Sequence, residues 1–458
     1  MVEKLIDKNI NGRKISVLGA ARSGIAVASL LKRNGAKVFV SDIAPEEKIQ
    51  ANIQKLKSTG IEYEINGHTD RVLDADIIII SPGVPSNNPI IDKALIKNIP
   101  ILSELEIASW FCKAPIIAVT GTNGKTTTTT LIGKMLEDAG IKNIVGGNIG
   151  KAFSDFVETL DEKSIAVLEV SSFQLDYIQT FKPKISIILN ITPDHLDRYD
   201  NNYEKYIASK CRIFENQTID DYIIYNYDDD ETQEQIRRLA SLHVTTLPFA
   251  VECRFSEGAF TENGMMTTVL NGNRTEIIRQ DQIGIRGTHN LYNSMAAAVA
   301  SQLMGASPTS ISNTLKNFKG VEHRLEFVRE LNGVTYINDS KATNVNSVWY
   351  ALQSFEKPII LLLGGRDKGN DYTMLNDLIK KQVKTIIAIG ESADKVNQHF
   401  NKITSVIKAN SMEEAIKLAK NIASHGDIVL LSPACASFDW FENYEHRGKV
   451  FKQLVNSL

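Results

Sequence analysis

Short, unbroken apolar runs recur along this chain, each closed by a polar or glycine-bearing turn and most followed by a stretch with helical periodicity. Residues 14–18, 37–40, 75–80, 116–119, 164–170 and 184–190 are such runs. Their brevity and lack of polar alternation predict strands buried on both faces, as in parallel sheets covered by helices. The first run, an apolar-periodic helix through Leu31 and the second run make a βαβ opening. The last third repeats the theme. Strands at 334–338, 358–363, 384–389 and 427–431 alternate with helices near 344–354, 372–381 and 412–423, a third parallel α/β unit. Residues 244–285 depart from this pattern. They alternate in period two with turn signals at Asn271-Gly-Asn and Ile283-Gly-Ile, which predicts an accessory sheet of the central domain.

Breaks in the pattern fall near residues 100–103 and 318–320, giving domains at 1–102, 103–320 and 321–458. At the first break, Ser103-Glu-Leu-Glu106 has the spacing of a capping box ahead of a helix over 105–111. A chain of 458 residues is long enough for about three domains of roughly 150 residues. Hydrophobic content of 43% and charged content of 23% are ordinary for a soluble globular protein. A net charge of −3 exerts no bulk pull toward nucleic acid or anionic lipid. The four cysteines are widely spaced, as free thiols of a reducing compartment are. The first residues, MVEKLIDKNINGRK, hold no signal-peptide apolar region, and no run approaches the roughly 20 apolar residues of a membrane span. A cytoplasmic protein without nucleic-acid partner or membrane insertion is expected.

Chemistry concentrates where strands end. Residues 116–130 read IIAVTGTNGKTTTTT: an apolar strand, a turn bracketed by Gly121 and Gly124, then Lys125 and a threonine run opening a helix. Backbone N–H groups of such a turn, with the positive end of the helix, cradle a polyphosphate. Lys125 reaches the β- and γ-phosphates and the Thr126 hydroxyl can ligate the accompanying Mg²⁺. The usual spacing is G-x-x-x-x-G-K-[ST], and Val119 stands where its first glycine would be. The expectation is an ATP site formed by Gly121, Thr122, Asn123, Gly124, Lys125, Thr126 and Thr127.

Two more strand ends carry candidate groups. Glu169 closes the run 164–170, and a carboxylate there is costly to bury without a partner. It serves either as an Mg²⁺ ligand beside the phosphate loop or in a local ion pair. His195 follows the run 184–190, flanked by Asp194 and Asp197. Lys210, in ASKCRIF, reads by itself as a surface lysine. In the first domain Gly19-x-Ala21-x-x-Gly24 approximates a dinucleotide fingerprint, with Asp42 near the position of a ribose-binding acid. A tight turn with helix–strand packing explains the same residues equally well. An NAD-dependent dehydrogenase would use them, but it leaves the phosphate loop without a purpose.

TGTNGKTT, EVSSFQL, NITPDHLDRY and ASKCRIFEN, in this order, resemble the Mur ligases, ATP-dependent amide ligases of peptidoglycan precursor synthesis. The shortened loop with its missing first glycine is shared with that family. The resemblance implies an α/β fold of three domains: a Rossmann-like domain, a central P-loop ATPase-like domain with accessory strands, and a Rossmann-like C-terminal domain. It implies that Thr126, Glu169 and His195 help hold Mg²⁺, two ions in all. It also implies that Lys210 is carbamylated by CO₂ and ligates the second metal. Asn290 is placed near the adenine, although a helix N-cap would also explain it, and Arg324 and Asp339 are placed at the nucleotide.

HRLE, NDSKATN, GGRDKG, LSPACASFD and NYEHRG extend the resemblance over essentially the whole chain and are similar to the family's D-glutamate-adding branch. By position, Thr343, Lys368, Ser437 and Tyr444 would contact D-glutamate, and Lys341, with Lys125 and His195, would support the reaction. Arg22, Ser23, Asp42, Ile43 and Gly83 would hold the uridine diphosphate, with Asn148 and Gln174 toward the muramoyl end. Tyr444 stands where phenylalanine is common, and Ile43 where a hydroxyl residue can bind uracil. The implied substrates are ATP, UDP-N-acetylmuramoyl-L-alanine and D-glutamate, acted on by a monomer. The DNPR-like motif of the diaminopimelate-adding branch is missing. Folate-polyglutamate ligases share the phosphate loop but not this first domain.

Overall fold

The computed structural model describes residues 7–85, 88–238, 244–251, 253–367 and 369–458. Three sheets form among them. Strands β1 (Lys14–Leu18), β2 (Lys37–Ser41), β3 (Glu62–Glu64), β4 (Ile77–Ile80) and β5 (Ile101–Ser103) make a parallel sheet in the order β3-β2-β1-β4-β5. All four isoleucines of β4 are buried, each contributing about 1.5–3 kcal/mol relative to exposure. This accounts for a strand without polar alternation. The strand order reverses between β1 and β4, so the loops after these two strands border one crevice. Ser81, after β4, donates from its Oγ to the carbonyl of Gly19, after β1, at 3.1 Å.

The second sheet joins β6 (Ile116–Thr120), β7 (Asn143–Gly147), β8 (Ile165–Glu169), β9 (Ile185–Ile188), β10 (Tyr222–Asn226), β11 (Thr245–Ala250), β12 (Gly258–Glu262), β13 (Met265–Leu270) and β14 (Asn273–Arg279). Its order is β14-β13-β12-β11-β10-β9-β6-β8-β7. β6 lies between β8 and β9 and runs parallel to both. The loops at the carboxyl ends of these three strands are therefore neighbours. The alternating segment 244–285 does not build a separate sheet. β12 pairs with β11 and continues the central sheet, with β13 and β14 added antiparallel at its edge. The turn between β13 and β14 uses Asn271 and Gly272, both at positive φ, as a two-residue hairpin of the Asn-Gly kind requires.

The third sheet comprises β15 (Glu326–Leu331), β16 (Val334–Asn338), β17 (Ile359–Gly364), β18 (Val383–Ile389), β19 (Ser405–Lys408) and β20 (Ile428–Leu431), in the order β15-β16-β20-β17-β18-β19. It is parallel except for β15, which pairs antiparallel with β16. β15 has only half-buried and exposed residues, so no continuous apolar run announces it. β16, β20 and β17 are adjacent, which brings their following loops to one sheet edge.

The chain divides into two compact units. One holds the first two sheets, from the amino end to Asp281 together with Tyr292–Thr314, and the other holds Gln282–Leu291 and Leu315–Leu458 with the third sheet. At the start of the central region, Ser103 caps the helix Glu104–Trp110 by accepting from Glu106 N at 3.2 Å. The reciprocal half of the expected capping box is replaced. Glu106 instead accepts from Trp110 Nε1 at 2.8 Å and from the backbone of Gln179, Thr180 and Phe181. No described helix is long and apolar enough to cross a membrane.

Candidate functional site

The phosphate loop leaves β6 as a backbone turn that a side chain would obstruct. Gly121 has φ +144°, and a Cβ there would stand 3.0 Å from Leu189 Cβ. Gly124 has φ +87°, with Asn293 Oδ1 at 2.4 Å from a Cβ. Val119, where the longer motif has its first glycine, is a buried strand residue paired to Glu169 and Ile187. The turn therefore begins two residues later, which gives a physical reason for the shortened spacing. Asn190 holds the loop's shape: its Oδ1 accepts from Asn123 N at 2.8 Å and its Nδ2 donates to Asn123 O at 3.1 Å. Asn293 also accepts from Thr128 Oγ1 at 3.1 Å.

Behind the loop, Thr126 Oγ1 donates to Glu169 Oε2 at 2.6 Å, and Asn148 Nδ2 donates to Glu169 Oε1 at 3.0 Å. These two bonds meet the cost of burying a carboxylate, which is 3% exposed. Lys125 Nζ donates to the carbonyls of Gly121 and Thr122, each at 2.7 Å. Lys210 Nζ donates to the same Gly121 carbonyl at 2.9 Å. Lys210 is thus no surface lysine: it is 2% exposed, with its ammonium 4.6 Å from the centre of the Tyr206 ring. Burial, and then the neighbouring Lys125 charge, hold its pKa well below the usual lysine range. A hydroxyl and a carboxylate 2.6 Å apart are hard oxygen donors and fit Mg²⁺. His195 lies outside the helix and strand ladders at φ +51°, exposed, with Nε2 3.8 Å from Asp194 Oδ2 and its ring edge-on to Phe173.

In the first domain, Asp42 accepts from Ala20 N at 2.5 Å and Ala44 N at 2.7 Å, holding together the turns after β1 and β2. Ile43 beside it is 63% exposed, and Gly83 has open space where a Cβ would be. Ser23 is buried. Arg22 donates to Gly150 O at 2.6 Å and Asn148 O at 3.1 Å, linking this domain to the loop after β7. Arg198 makes a second link, donating to Pro82 O at 2.8 Å. Gln174 is buried, and its Oε1 accepts from Ser171 N at 3.0 Å in a capping box.

In the second unit the three loops expected at one sheet edge are joined. Arg366 and Ala436 exchange backbone hydrogen bonds at 2.9 and 3.1 Å. Arg447, 1% exposed, donates from Nε to Ser340 Oγ at 3.0 Å, from Nη2 to Ser340 O at 2.8 Å and from Nη1 to Cys435 O at 3.1 Å. Lys341 Nζ stands 5.2 Å from the centre of the Tyr444 ring, and Ser437 is buried close by in sequence to Cys435. Asp339 accepts from Ser432 Oγ at 2.8 Å and Leu325 N at 3.2 Å. Burial pushes its pKa up to about 7 against these bonds and the nearby Arg324 charge. Thr343 begins no element and is half-buried, while Lys368 lies outside the described residues.

The Mur ligase middle domain matches residues 119–301, the Mur ligase, glutamate ligase domain matches 323–435, and the MurD N-terminal domain matches 14–90. A UDP-N-acetylmuramoylalanine--D-glutamate ligase of Chloroherpeton thalassium is 48% identical over 98% of this chain and 99% of its own length. One of the same name from Salinibacter ruber is 46% identical over 97% and 98%. The chain belongs to the Mur ligase family. Its members are ATP-dependent ligases. The solved UDP-N-acetylmuramate-alanine ligase of Thermotoga maritima shares the three-domain fold at a TM-score of 0.60 and 20% identity, over 97% of this chain and 99% of that one. A pseudomurein peptide ligase type C from Methanothermus fervidus matches equally, at 0.60 and 20%, over 97% and 100%.

Within this Mur ligase chain, Thr126, Glu169, Asn148, Lys125 and Lys210 come together around one loop. Asn290, Arg324 and Asp339 belong to the second unit. Asn290 is not the N-cap of its helix, which begins at Thr288; its amide donates to Arg286 O at 2.8 Å inside the first turn. Asn190, Asn293 and Arg447 were not singled out from sequence. Asn293 follows Asn290 by three residues, one helical turn, and that spacing was the available signal. Arg447 lies in NYEHRG, but only the fold shows that its guanidinium meets two loops.

Proposed function

We propose that this chain joins D-glutamate to UDP-N-acetylmuramoyl-L-alanine, with ATP converted to ADP and phosphate, through an acyl phosphate. The observation that carries the reading is the grouping of Lys125, Thr126, Glu169 and buried Lys210 at one phosphate loop, together with relatives of that activity over nearly the whole length.

A carboxylate oxygen is a poor leaving group, so an amine does not displace it. Attack of the muramoyl-peptide carboxylate on the γ-phosphorus forms an O–P bond and releases ADP. The amine of D-glutamate then attacks the acyl carbon, and the tetrahedral intermediate expels phosphate while the nitrogen loses a proton. In this reading the N–H groups of residues 121–127 orient the polyphosphate and Lys125 swings from its carbonyls to the γ-phosphate. Thr126, Glu169, His195 and Lys210 would hold Mg²⁺, which supplies charge neutralisation at the transferring phosphoryl group. The neutral Lys210 amine favoured by burial attacks CO₂, forming an N–C bond and releasing a proton, and the resulting carbamate offers oxygen ligands. Arg324, Asp339 and Asn290 are assigned to the nucleotide. Thr343, Lys368, Ser437 and Tyr444 are assigned to D-glutamate, with Lys341 supporting the reaction. Arg22, Ser23, Asp42, Ile43, Gly83, Asn148 and Gln174 are assigned to the UDP substrate. A reaction drawing on ATP and a UDP-activated sugar belongs to the cytoplasm.

Phosphate release with ATP and UDP-N-acetylmuramoyl-L-alanine tests the reading, with D-glutamate, L-glutamate, L-alanine or diaminopimelate supplied in turn. Release with D-glutamate alone is expected; release with another amino acid alone, or with none, overturns it.

A further inference from the structure

At the carboxyl end of β2, one residue before Asp42, three polar side chains form a chain that the site described above does not use. Ser41 Oγ lies 2.6 Å from Glu64 Oε1 and 2.6 Å from His68 Nδ1. Glu64 also accepts from Thr69 N at 2.9 Å and Thr69 Oγ1 at 2.6 Å. The segment carrying these groups is strapped to the turn at Asp42: Asp42 N donates to Glu64 O at 3.1 Å, Gly67 N to Asp42 O at 3.3 Å, and Asn66 N to Ala44 O at 3.3 Å. His68 therefore belongs to the same ligand-facing edge as Asp42 and the exposed Ile43.

The hydrogen count fixes the tautomer. A serine hydroxyl has one proton. Although burial opposes ionisation of Glu64, the bonds from Ser41 and Thr69 keep its carboxyl below the usual range, so it is an acceptor and takes the Ser41 proton. Ser41 Oγ must then accept from His68, which places the imidazole proton on Nδ1. Burial lowers the imidazole pKa against the charges of Asp42 and Glu64, favouring the neutral ring. Nε2 is left as a lone-pair acceptor with no protein partner among the described residues. The Asp42 oxygens at this edge each receive one backbone N–H, from Ala20 and Ala44.

We propose that His68 Nε2 accepts a hydrogen bond from the nucleoside end of the UDP substrate and so helps select it. The inference rests on the first domain holding that substrate. A diphosphate is ionised at neutral pH and offers no donor, whereas the nucleoside offers uracil N3–H and the ribose hydroxyls. Cytosine presents an acceptor at N3, so an Nε2 contact to the base would discriminate against it. Asp42, assigned to the same substrate, also braces the two turns.

Calorimetric titration of UDP into wild type, His68→Phe and His68→Gln tests this, with N3-methyl-UDP and 2′,3′-dideoxy-UDP as separate arms. His68→Phe is expected to weaken UDP roughly 3- to 10-fold, the worth of one hydrogen bond, and His68→Gln, which keeps an acceptor near the Nε2 position, to recover most of it. The analogue lacking the contacted donor should bind wild type more weakly by a similar factor and lose nothing further in His68→Phe, which tells base from ribose. Unchanged UDP binding in a folded His68→Phe overturns the proposal. So does an equal loss for UDP and both analogues, the mark of a purely structural role. Failure of folded wild type to bind UDP at all would instead remove the substrate assignment of the first domain.

Discussion

Thr126 Oγ1 and Glu169 Oε2 stand 2.6 Å apart, the one in the first turn of the phosphate-loop helix and the other at the end of β8. The register of β6 against β8 sets this meeting, since Val119 pairs with Glu169. Glu169→Gln keeps the shape and one acceptor but removes the charge. It is expected to lower ATP-dependent phosphate release about 100-fold or more and to raise the Mg²⁺ concentration needed for half-maximal rate. A variant with wild-type Mg²⁺ dependence would show that Glu169 only anchors Thr126.

Lys210 donates to the carbonyl that also receives Lys125. Two ammonium groups so placed repel, and burial adds to the cost. Conversion of Lys210 to a carbamate, as proposed, would remove that repulsion. Lys210→Ala is expected to abolish ligation, with excess bicarbonate giving no recovery, and ¹³C-bicarbonate should give a carbamate resonance in wild type that the variant lacks. Full activity of Lys210→Ala would discard the carbamate.

Arg447 binds the loop after β16 and the loop after β20 through one guanidinium. Lysine cannot reproduce that fork. Arg447→Lys should raise the KM for D-glutamate severalfold while the KM for the UDP substrate stays within twofold, as read by initial rates at saturating ATP; about 1–3 kcal/mol of stability is lost for each buried partner left unpaired. Equal changes in both KM values would contradict a role confined to these loops.

Asp339 carries a pH signature. Its folded pKa, raised from 3.8 to about 7 by burial, means that the folded state holds a proton the unfolded state releases. Stability contributed by this group is therefore greatest below pH 4, falls as pH rises toward 7, and levels above. Asp339→Asn removes the titration. The stability difference between wild type and this variant in urea unfolding should shift against wild type between pH 4 and 7, and a pH-independent difference would contradict the buried, proton-holding carboxyl.

The parallel strands β1, β2, β4, β6, β8, β9, β16, β17, β18 and β20 were legible because apolar runs closed by turns have few other uses, and the loops at their ends followed from strand order. β15 and β19 were not, because half-exposed edge strands carry no such run; nor were β3 and β5, three residues each, β7, whose closing glycines read as a turn, or β10, which opens a stretch of mixed pattern. Glu169 was readable as a carboxylate that had to find a partner, though the identity of Thr126 and Asn148 as those partners needed the register of β6, β7 and β8. Lys210 was misread by composition alone: nothing in ASKCRIF distinguishes a lysine folded under a loop from one in water, and only the resemblance assigned it a role. Asp42 reads as a ribose ligand by spacing; its oxygens each take one backbone N–H, a bracing use that spacing does not reveal and that leaves a lone pair on each oxygen.

In the proposed reaction a muramoyl-peptide carboxylate is activated by the γ-phosphate held at residues 121–127. UDP-N-acetylmuramoyl-L-alanine labelled with ¹⁸O in its free carboxylate, incubated with ATP, Mg²⁺ and D-glutamate, tests it most directly. One labelled oxygen is predicted to appear in the released phosphate for each amide bond formed. Amide formation with unlabelled phosphate would contradict the account.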